Sequence, residues 1–308
     1  MEALVGYTGF VGSNLASEHG FDALFNSSNI GEAYGLKPDL LIYAGVRSEK
    51  FVADKFPEKD YEGIKAAMQN IEKIAPRKLV LISTVDVYGS PRGADELTPI
   101  ETEGLKPYGL NRLRLERWAE ENVKDCTIVR LPGLYGLNLK KNFIFDMINR
   151  IPSMLTGKKL GELDSKCPGI GKSYKLDKDG FYRLAELGAE DRRDLLGMFR
   201  KAGFTSVQFT DSRAVFQFYN LAFLWKHIEH ALDEDIRLLN LVTGPIVAGA
   251  LYEHIFNERF ENELMGEPPH YDLKTVHYDT FGGSAGYMFD SGFVIDDVRK
   301  FVREATGE

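Results

Sequence analysis

Two groups of residues in this 308-residue chain have the types and spacing for chemistry. The first is Gly6-Tyr7-Thr8-Gly9-Phe10-Val11-Gly12, three glycines at spacing three between a short apolar run, Ala3-Leu4-Val5, and a helical pattern. Small residues let the backbone approach a pyrophosphate, whose charge is met by unpaired amides at a helix N-terminus. A tight strand-to-helix turn with no ligand is the plainer alternative. The second group joins the apolar run Leu79 to Ile82, which ends in the hydroxyls of Ser83 and Thr84, to Tyr108-Gly109-Leu110-Asn111-Arg112. Positions 108 and 112 share one helical face, so a phenol and a guanidinium can point together at a site above the carboxyl edge of a parallel sheet. Taken singly, a strand-end Ser-Thr pair is usually a cap and a helical tyrosine usually packing.

The elements that must position these groups are legible as apolar runs alternating with amphipathic stretches, the pattern of βαβ units and a parallel sheet. Strands are expected at Ala3–Val5, Ala23–Phe25, Leu40–Ala44, Leu79–Ser83 and Thr127–Leu131, with helices at 11–19, 60–75 and 107–123. The third helix follows Pro107 and carries Leu110, Leu113, Leu115 and Trp118 among charges. From about Asn142 the pattern changes. A polar, glycine-bearing stretch at 156–182 and a helix at 190–202 read as an inserted lid or lobe. A long helix at 216–232, a strand at Leu238–Leu241 and helices at 246–264 and 294–305 complete the chain. The expected architecture is α/β: a Rossmann doubly wound parallel sheet over 1–142, with 205–245 partly returning to it. A smaller C-terminal substrate lobe over 143–308 would include the insertion at 156–205.

Composition narrows the partners. With 44% apolar and 27% charged residues the chain reads as a globular protein with a full core. A net charge of -8 argues against nucleic acid, whose binding draws on clustered Lys and Arg. No leader-like N-terminus and no run of about 18 apolar residues is evident, so a cytoplasmic protein without a membrane partner is expected. Cys126 and Cys167 stand apart, and neither has a second ligand at metal spacing, so neither a disulfide nor a metal is expected. His227 and His230 share a helical face without a third ligand, which reads as packing or a solvated face.

A carboxylate after the second strand would accept from an adenosine 2′-hydroxyl and mark NAD. Here the strand runs into Asn26-Ser27-Ser28-Asn29, with neither that acid nor an adjacent arginine. Small donors tolerate a 2′-phosphate, which tilts the reading slightly from NAD to NADP. A simple polar turn explains the same residues.

The combination resembles the extended short-chain dehydrogenase/reductase family, which includes nucleotide-sugar epimerases, dehydratases and reductases. Besides the glycine loop, the resemblance rests on Ser83-Thr84-Val85-Asp86-Val87-Tyr88-Gly89, on Tyr108, on Val129-Arg130-Leu131-Pro132-Gly133-Leu134-Tyr135-Gly136 and on Asn240 in Leu239-Asn240-Leu241. It implies an NAD or NADP site formed by Gly6, Thr8, Gly9, Phe10, Val11, Gly12, Asn26, Ser27, Ser28, Ala44, Gly45, Ser83, Arg112, Leu131, Pro132 and Gly133. It also implies that Thr84 bonds the substrate oxygen at the reacting carbon while Tyr108 exchanges a proton with it. That task needs a phenol whose pKa falls from about 10 toward neutrality, which a nearby fixed cation and the nicotinamide charge can supply. The family places lysine four residues after the tyrosine, whereas this chain has Arg112, bulkier and differently aimed.

By the same resemblance Arg213 meets the substrate diphosphate. The family's second arginine is not evident around Gly282-Gly283-Ser284, so the clamp is incomplete or is completed by Lys140 and Lys141, which otherwise read as surface charges. Asn142 and Asp86 are further substrate-side candidates, Asp86 reading equally as a polar cap. The dehydratases carry Asp and Glu directly after the threonine. Val85 and Asp86 stand there instead, which argues against dehydration. The short crossover from Phe25 to Leu40 resembles reductases of 4-keto deoxysugar nucleotides. The implied substrate is a nucleotide diphosphate sugar, and the implied assembly is a homodimer through the helices at 60–75 and 107–123. Because Arg112 replaces lysine, a non-catalytic dinucleotide-binding sensor or scaffold stands as the alternative.

Overall fold

The computed structural model describes residues 1–307. In chain order its first half contains β1 (Glu2–Val5), α1 (Phe10–Glu18), β2 (Ala23–Phe25), β3 (Leu40–Tyr43), α2 (Lys50–Lys55), α3 (Pro57–Ile74), β4 (Lys78–Thr84), α4 (Pro107–Asn122), β5 (Cys126–Leu131) and β6 (Gly133–Tyr135). The second half contains α5 (Phe143–Ile148), β7 (Met154–Thr156), α6 (Gly157–Lys166), β8 (Tyr174–Leu176), β9 (Phe181–Leu184), α7 (Ala189–Lys201), β10 (Val215–Phe216), β11 (Phe218–Asn220), α8 (Leu224–Asp233), β12 (Leu238–Asn240), β13 (Ile246–Val247), α9 (Ala248–Phe256) and α10 (Ser291–Thr306). Among the described residues no helix is long and apolar enough to cross a membrane.

The chain forms two compact units. The first comprises Met1–Leu139, Val215–Ile246 and Pro269–Asp296; the second comprises Lys140–Ala214, Val247–Pro268 and the chain from Asp297 onward. The segment 269–296, which the sequence reading placed in the C-terminal lobe, therefore clusters with the sheet.

The first unit is built on a six-stranded sheet in the order β12-β5-β4-β3-β1-β2, and the pairings along it are parallel. Its central strands are apolar on both faces, as strands covered on both sides must be. On one face Ile64, Ala67, Ile71 and Ile74 of α3 and Leu115 and Ala119 of α4 pack on Leu41, Leu79, Leu81 and Ile128. Each large aliphatic side chain buried there contributes about 1.5–3 kcal/mol, so this stripe, rather than the weak intrinsic helicity of a charged segment, holds α3 on the sheet. Both helices begin with proline at the first position, where a missing N–H costs nothing. On the other face Leu15 of α1 and Leu224, Ile228 and Ala231 of α8 pack on Leu4, Ile42, Val80, Val129 and Leu239.

The strand order turns back between β1 and β3, because the crossover from Phe25 to Leu40 holds only a 3-10 turn, Ile30–Ala33. The doubly wound half that would normally carry a further strand is one strand short.

A buried polar row crosses this sheet. Ser83 on β4 pairs in register with Arg130 on β5, which pairs with Asn240 on β12. Arg130 is 5% exposed and grips Glu116 of α4, itself 1% exposed, through Nη2 at 2.6 Å and Nε at 3.1 Å. Ser83 Oγ donates to the same carboxylate, and Arg130 Nη1 donates to the Tyr88 hydroxyl at 2.7 Å. Tyr88 also bonds the Asn240 side chain and the Asp95 carbonyl.

The sequence reading fails at two segments. The helix expected at 216–232 begins at Leu224, because Gln217 is drawn into strand-like backbone by bonds to the Thr243 carbonyl and the Leu273 backbone, and Asn220 caps a new turn by accepting from the Ala222 amide. The helix expected at 246–264 ends at Phe256, where Asn257 takes a left-handed conformation (φ 54°), and Asn262 is pinned to the Thr210 carbonyl. The stretch at 156–182 is ordered: α6 is capped by Thr156, and β7, β9 and β8 form an antiparallel sheet. His227 is buried and bonds the Tyr219 hydroxyl at 2.7 Å.

The second unit has its own core of Ile151, Leu155, Leu160, Leu163, Ile170, Leu195 and Phe199. On α5, Asp146 sits half-buried, and burial pushes its carboxyl from 3.8 to about 7. An unfolded chain loses this proton near pH 4 and the folded one near 7, so stability falls as pH rises across that window. Asp146→Asn is expected to stabilise the protein by roughly 2–4 kcal/mol at pH 8 and by nothing near pH 4. Thermal melts at the two pH values check this, and an equal gain at both would contradict it.

Candidate functional site

The glycine loop lies where the strand order turns back, between the ends of β1 and β3. Gly6 has φ +94°, a conformation side chains avoid, and a Cβ there would meet the Ala44 carbonyl oxygen at 2.5 Å. A Cβ on Gly12 would strike the Gly6 carbonyl. The Gly9 amide closes the turn on the Gly6 carbonyl at 2.9 Å, and the Ser13 amide makes the first intrahelical bond, to the Gly9 carbonyl. The amides of Phe10, Val11 and Gly12 therefore precede the helical ladder and stand at the positive end of α1. Thr8 and Gly9 are exposed. This cradle has the shape and dipole for a pyrophosphate.

After β2, Asn26 Oδ1 accepts from the Ser28 amide at 2.8 Å and from its hydroxyl at 2.6 Å, while Asn29 Oδ1 accepts from the Asn26 amide. The turn is self-bonded, with Ser27 and Ser28 exposed at its rim. Ala44 and Gly45 follow β3 directly, and Leu131, Pro132 and Gly133 lead from β5 into β6. Gly133 lies so close to the Gln217 carbonyl that a Cβ would approach to 2.8 Å. Ser83 faces α4 through its bond to Glu116, which commits the hydroxyl to the buried row.

Thr84 ends β4 and its hydroxyl accepts from the Asp86 amide at 3.2 Å. The backbone of Asp86 is jammed against α4, where a Cβ on Gly109 would strike the Asp86 carbonyl, so the Thr84–Asp86 turn and the Tyr108 turn are in contact. Tyr108 is 7% exposed. Burial pushes its phenol above the usual 10; Arg112 and Lys50 pull against this, and Asp86 and Asp60 add to it. Arg112 thus pulls the phenol down, and burial outweighs it. The guanidinium lies 3.9 Å over the face of the Tyr108 ring and is bonded to Asp60 of α3 and to the Arg47 carbonyl. At 5% exposure it is a buried ion pair under the tyrosine rather than a donor held out toward a ligand.

Sequence reasoning missed three residues around Tyr108. Asp54, at the end of α2, accepts from the Tyr108 amide at 3.1 Å and so caps α4 from another segment. Lys50, at the start of α2, donates to Asp86 Oδ1 at 2.7 Å and to the Tyr271 hydroxyl at 3.2 Å. Tyr271 donates to the same carboxylate oxygen at 3.0 Å. No short-range spacing links positions 50, 86 and 271.

In the second unit Arg213 is held by Asp211 at 2.7 Å, by Glu263 at 3.1 Å and by the Leu264 carbonyl, so its charge already has two carboxylates. Lys141 is exposed. Asn142 (φ 118°) caps α5 by accepting from the Phe145 amide.

A parallel sheet whose order turns back beside a glycine cradle, with helices on both faces, makes this a Rossmann-type α/β protein. Residues 24–168 match the model of the NAD dependent epimerase/dehydratase family. No curated protein matches the sequence. Among solved structures, the chain is similar to dTDP-4-dehydrorhamnose reductase (rfbD) from Bacillus anthracis str. Ames in complex with NADP, at 16% identity and TM-score 0.65 over 98% of this chain and 97% of that one. It is similar to RMD from Pseudomonas aeruginosa complexed with NADPH, at 15% identity and TM-score 0.59 over 99% of each chain. The UDP-glucose 4-epimerase of Thermotoga maritima, solved with UDP-glucose, matches at 13% identity and TM-score 0.57 over 91% of each chain. At such identities these likenesses establish the fold.

Proposed function

We propose that the chain is an NAD(P)-dependent oxidoreductase or epimerase acting on a nucleotide-linked sugar. The observation that carries this reading is the packing of the Tyr108 turn directly on the Thr84–Asp86 turn, at the carboxyl edge of a sheet that also bears the glycine cradle. The cofactors and sugar nucleotide in the similar solved structures support it. The loop from Gly6 to Gly12 would hold the pyrophosphate, the exposed Ser27 and Ser28 would face the adenosine ribose, and Ala44, Gly45 and the turn at Leu131–Gly133 would line the rest of the dinucleotide. A nicotinamide held there would supply or accept hydride.

Thr84 would orient the substrate oxygen through its hydroxyl, and Tyr108 would give that oxygen a proton or take one from it. Asp86, Lys141, Asn142 and Arg213 remain candidates for the sugar nucleotide, and a homodimer through α3 and α4 belongs to the same reading.

The test is mass spectrometry of small molecules released by denaturing the purified protein, together with calorimetric titration of NADPH and NADH. Near-stoichiometric dinucleotide on release supports an enzyme that recycles a tightly held cofactor, and binding of added NADPH to an empty protein supports a reductase. Gly12→Ala should weaken dinucleotide binding by about tenfold or more, because the new methyl must push the Gly6 carbonyl out of the cradle. Binding of neither dinucleotide, or unchanged affinity in Gly12→Ala, would remove the cofactor assignment.

One observation favours a second reading, a dinucleotide-binding protein without turnover. Both cations that the chemistry would use, Arg112 and Arg213, are committed to carboxylates. That reading expects tight dinucleotide binding with no reaction on any nucleotide sugar.

A further inference from the structure

Arg112 lies under the Tyr108 ring and is bonded to Asp60 and the Arg47 carbonyl, so it does not hydrogen-bond the phenol. A different cation is anchored beside the reactive turn. Lys50 Nζ is bonded to Asp86 Oδ1 and the Tyr271 hydroxyl, and lies 5.9 Å from the centre of the Tyr271 ring. Burial works against the charge of Lys50, but Asp86 and Tyr271 together hold its pKa above the ordinary lysine value. The carboxylate it neutralises belongs to the residue whose carbonyl is wedged against Gly109, next to Tyr108. The helix that begins at Lys50 reaches Asp54, which bonds the Tyr108 amide. Lys50 is thus tied to the Tyr108 turn through both Asp86 and the body of α2.

We propose that Lys50 is a positioning residue for Tyr108: clamped between Asp86 and Tyr271, it compensates the Asp86 carboxylate, which Arg112, bonded to Asp60 and a backbone carbonyl, does not touch. This inference rests on the reading of Tyr108 as the proton-exchanging group. The charges facing Tyr108 come from four places: Arg112 on its own helix, Asp60 on α3, Asp86 after β4 and Lys50 on α2. Three of these stay in place when Lys50 is changed. With the ammonium gone, Asp86 stands uncompensated and opposes formation of a second negative charge at the phenol.

The test reads Tyr108 directly. A fluorinated tyrosine, whose phenol ionises nearer neutrality than tyrosine, is placed at position 108 of the full chain, and its titration is followed by 19F NMR without cofactor or substrate. Lys50→Met should raise the midpoint by about one pH unit or more, and Lys50→Arg should leave it near wild type. Asp86→Asn should lower it, and Lys50→Met with Asp86→Asn should return it close to wild type. A merely structural lysine predicts no such restoration by removal of the opposing charge. A midpoint that Lys50→Met does not move, or a raised midpoint that Asp86→Asn does not restore, overturns the proposal. The titration is independent of turnover. If Tyr108→Phe keeps full activity while the Lys50 dependence is found, the functional reading falls and the electrostatic coupling stands; the opposite pair of results removes only the coupling.

Discussion

Tyr108→Phe is expected to lower kcat for the redox step by about 10³-fold while changing the dissociation constant for NADPH by less than about twofold. The magnitude is that of losing a positioned proton donor and acceptor. The selectivity follows from position. The hydroxyl is the only group removed, the ring remains stacked on Arg112, and the pyrophosphate cradle is formed at α1, a separate element. Steady-state kinetics with a panel of nucleotide sugars, beside calorimetry of the same variant, checks both halves. Unchanged turnover would end the assignment of Tyr108, and a parallel loss of cofactor affinity would show that the substitution had disturbed α4 as a whole.

Arg130→Met is expected to destabilise the protein by about 3–5 kcal/mol, the cost of leaving a buried carboxylate with its cation removed. Among the described residues Glu116 would keep the Ser83 hydroxyl as its hydrogen-bond partner, and Tyr88 would lose the guanidinium at 2.7 Å. Removing both charges with Arg130→Met and Glu116→Leu should recover most of the loss, since no buried ion then remains. Urea unfolding of the two variants distinguishes this from simple packing damage, under which the double variant would be the worse of the two. The pair carries a functional consequence as well. Glu116 lies two helical turns after Tyr108 on α4, so loss of the pair should also loosen the register of that helix on β4 and β5.

The legible part of the fold was the part fixed by local pattern. The strands of the central sheet lie where the apolar runs place them, because strands covered on both faces leave no other reading of Leu79-Val80-Leu81 or Ile128-Val129. The glycine loop was legible for a similar reason, since backbone contacts at Gly6 and Gly12 exclude a side chain. What escaped was set by partners distant in sequence. Nothing near Gln217 shows that its amide will be drawn to Thr243 and Leu273. Arg112 is spaced to join Tyr108 above the sheet edge, yet Asp60, on another helix, takes it below the ring. Lys50 and Tyr271 meet over Asp86 although 221 residues separate them.

The sheet that carries all of this ends, on both sides, in strands of three residues: Ala23–Phe25 at one margin and Leu238–Asn240 at the other. A long bare margin of unpaired amides and carbonyls invites another chain to add itself, and natural sheets blunt that hazard by keeping the outermost strands short. Here the omitted strand after β2 leaves a margin that offers a newcomer few backbone bonds, and the self-bonded Asn26–Asn29 turn closes it off. The shortened crossover thus serves as a safeguard against edge-to-edge aggregation, and lengthening β2 at the expense of that turn would put the safeguard at risk.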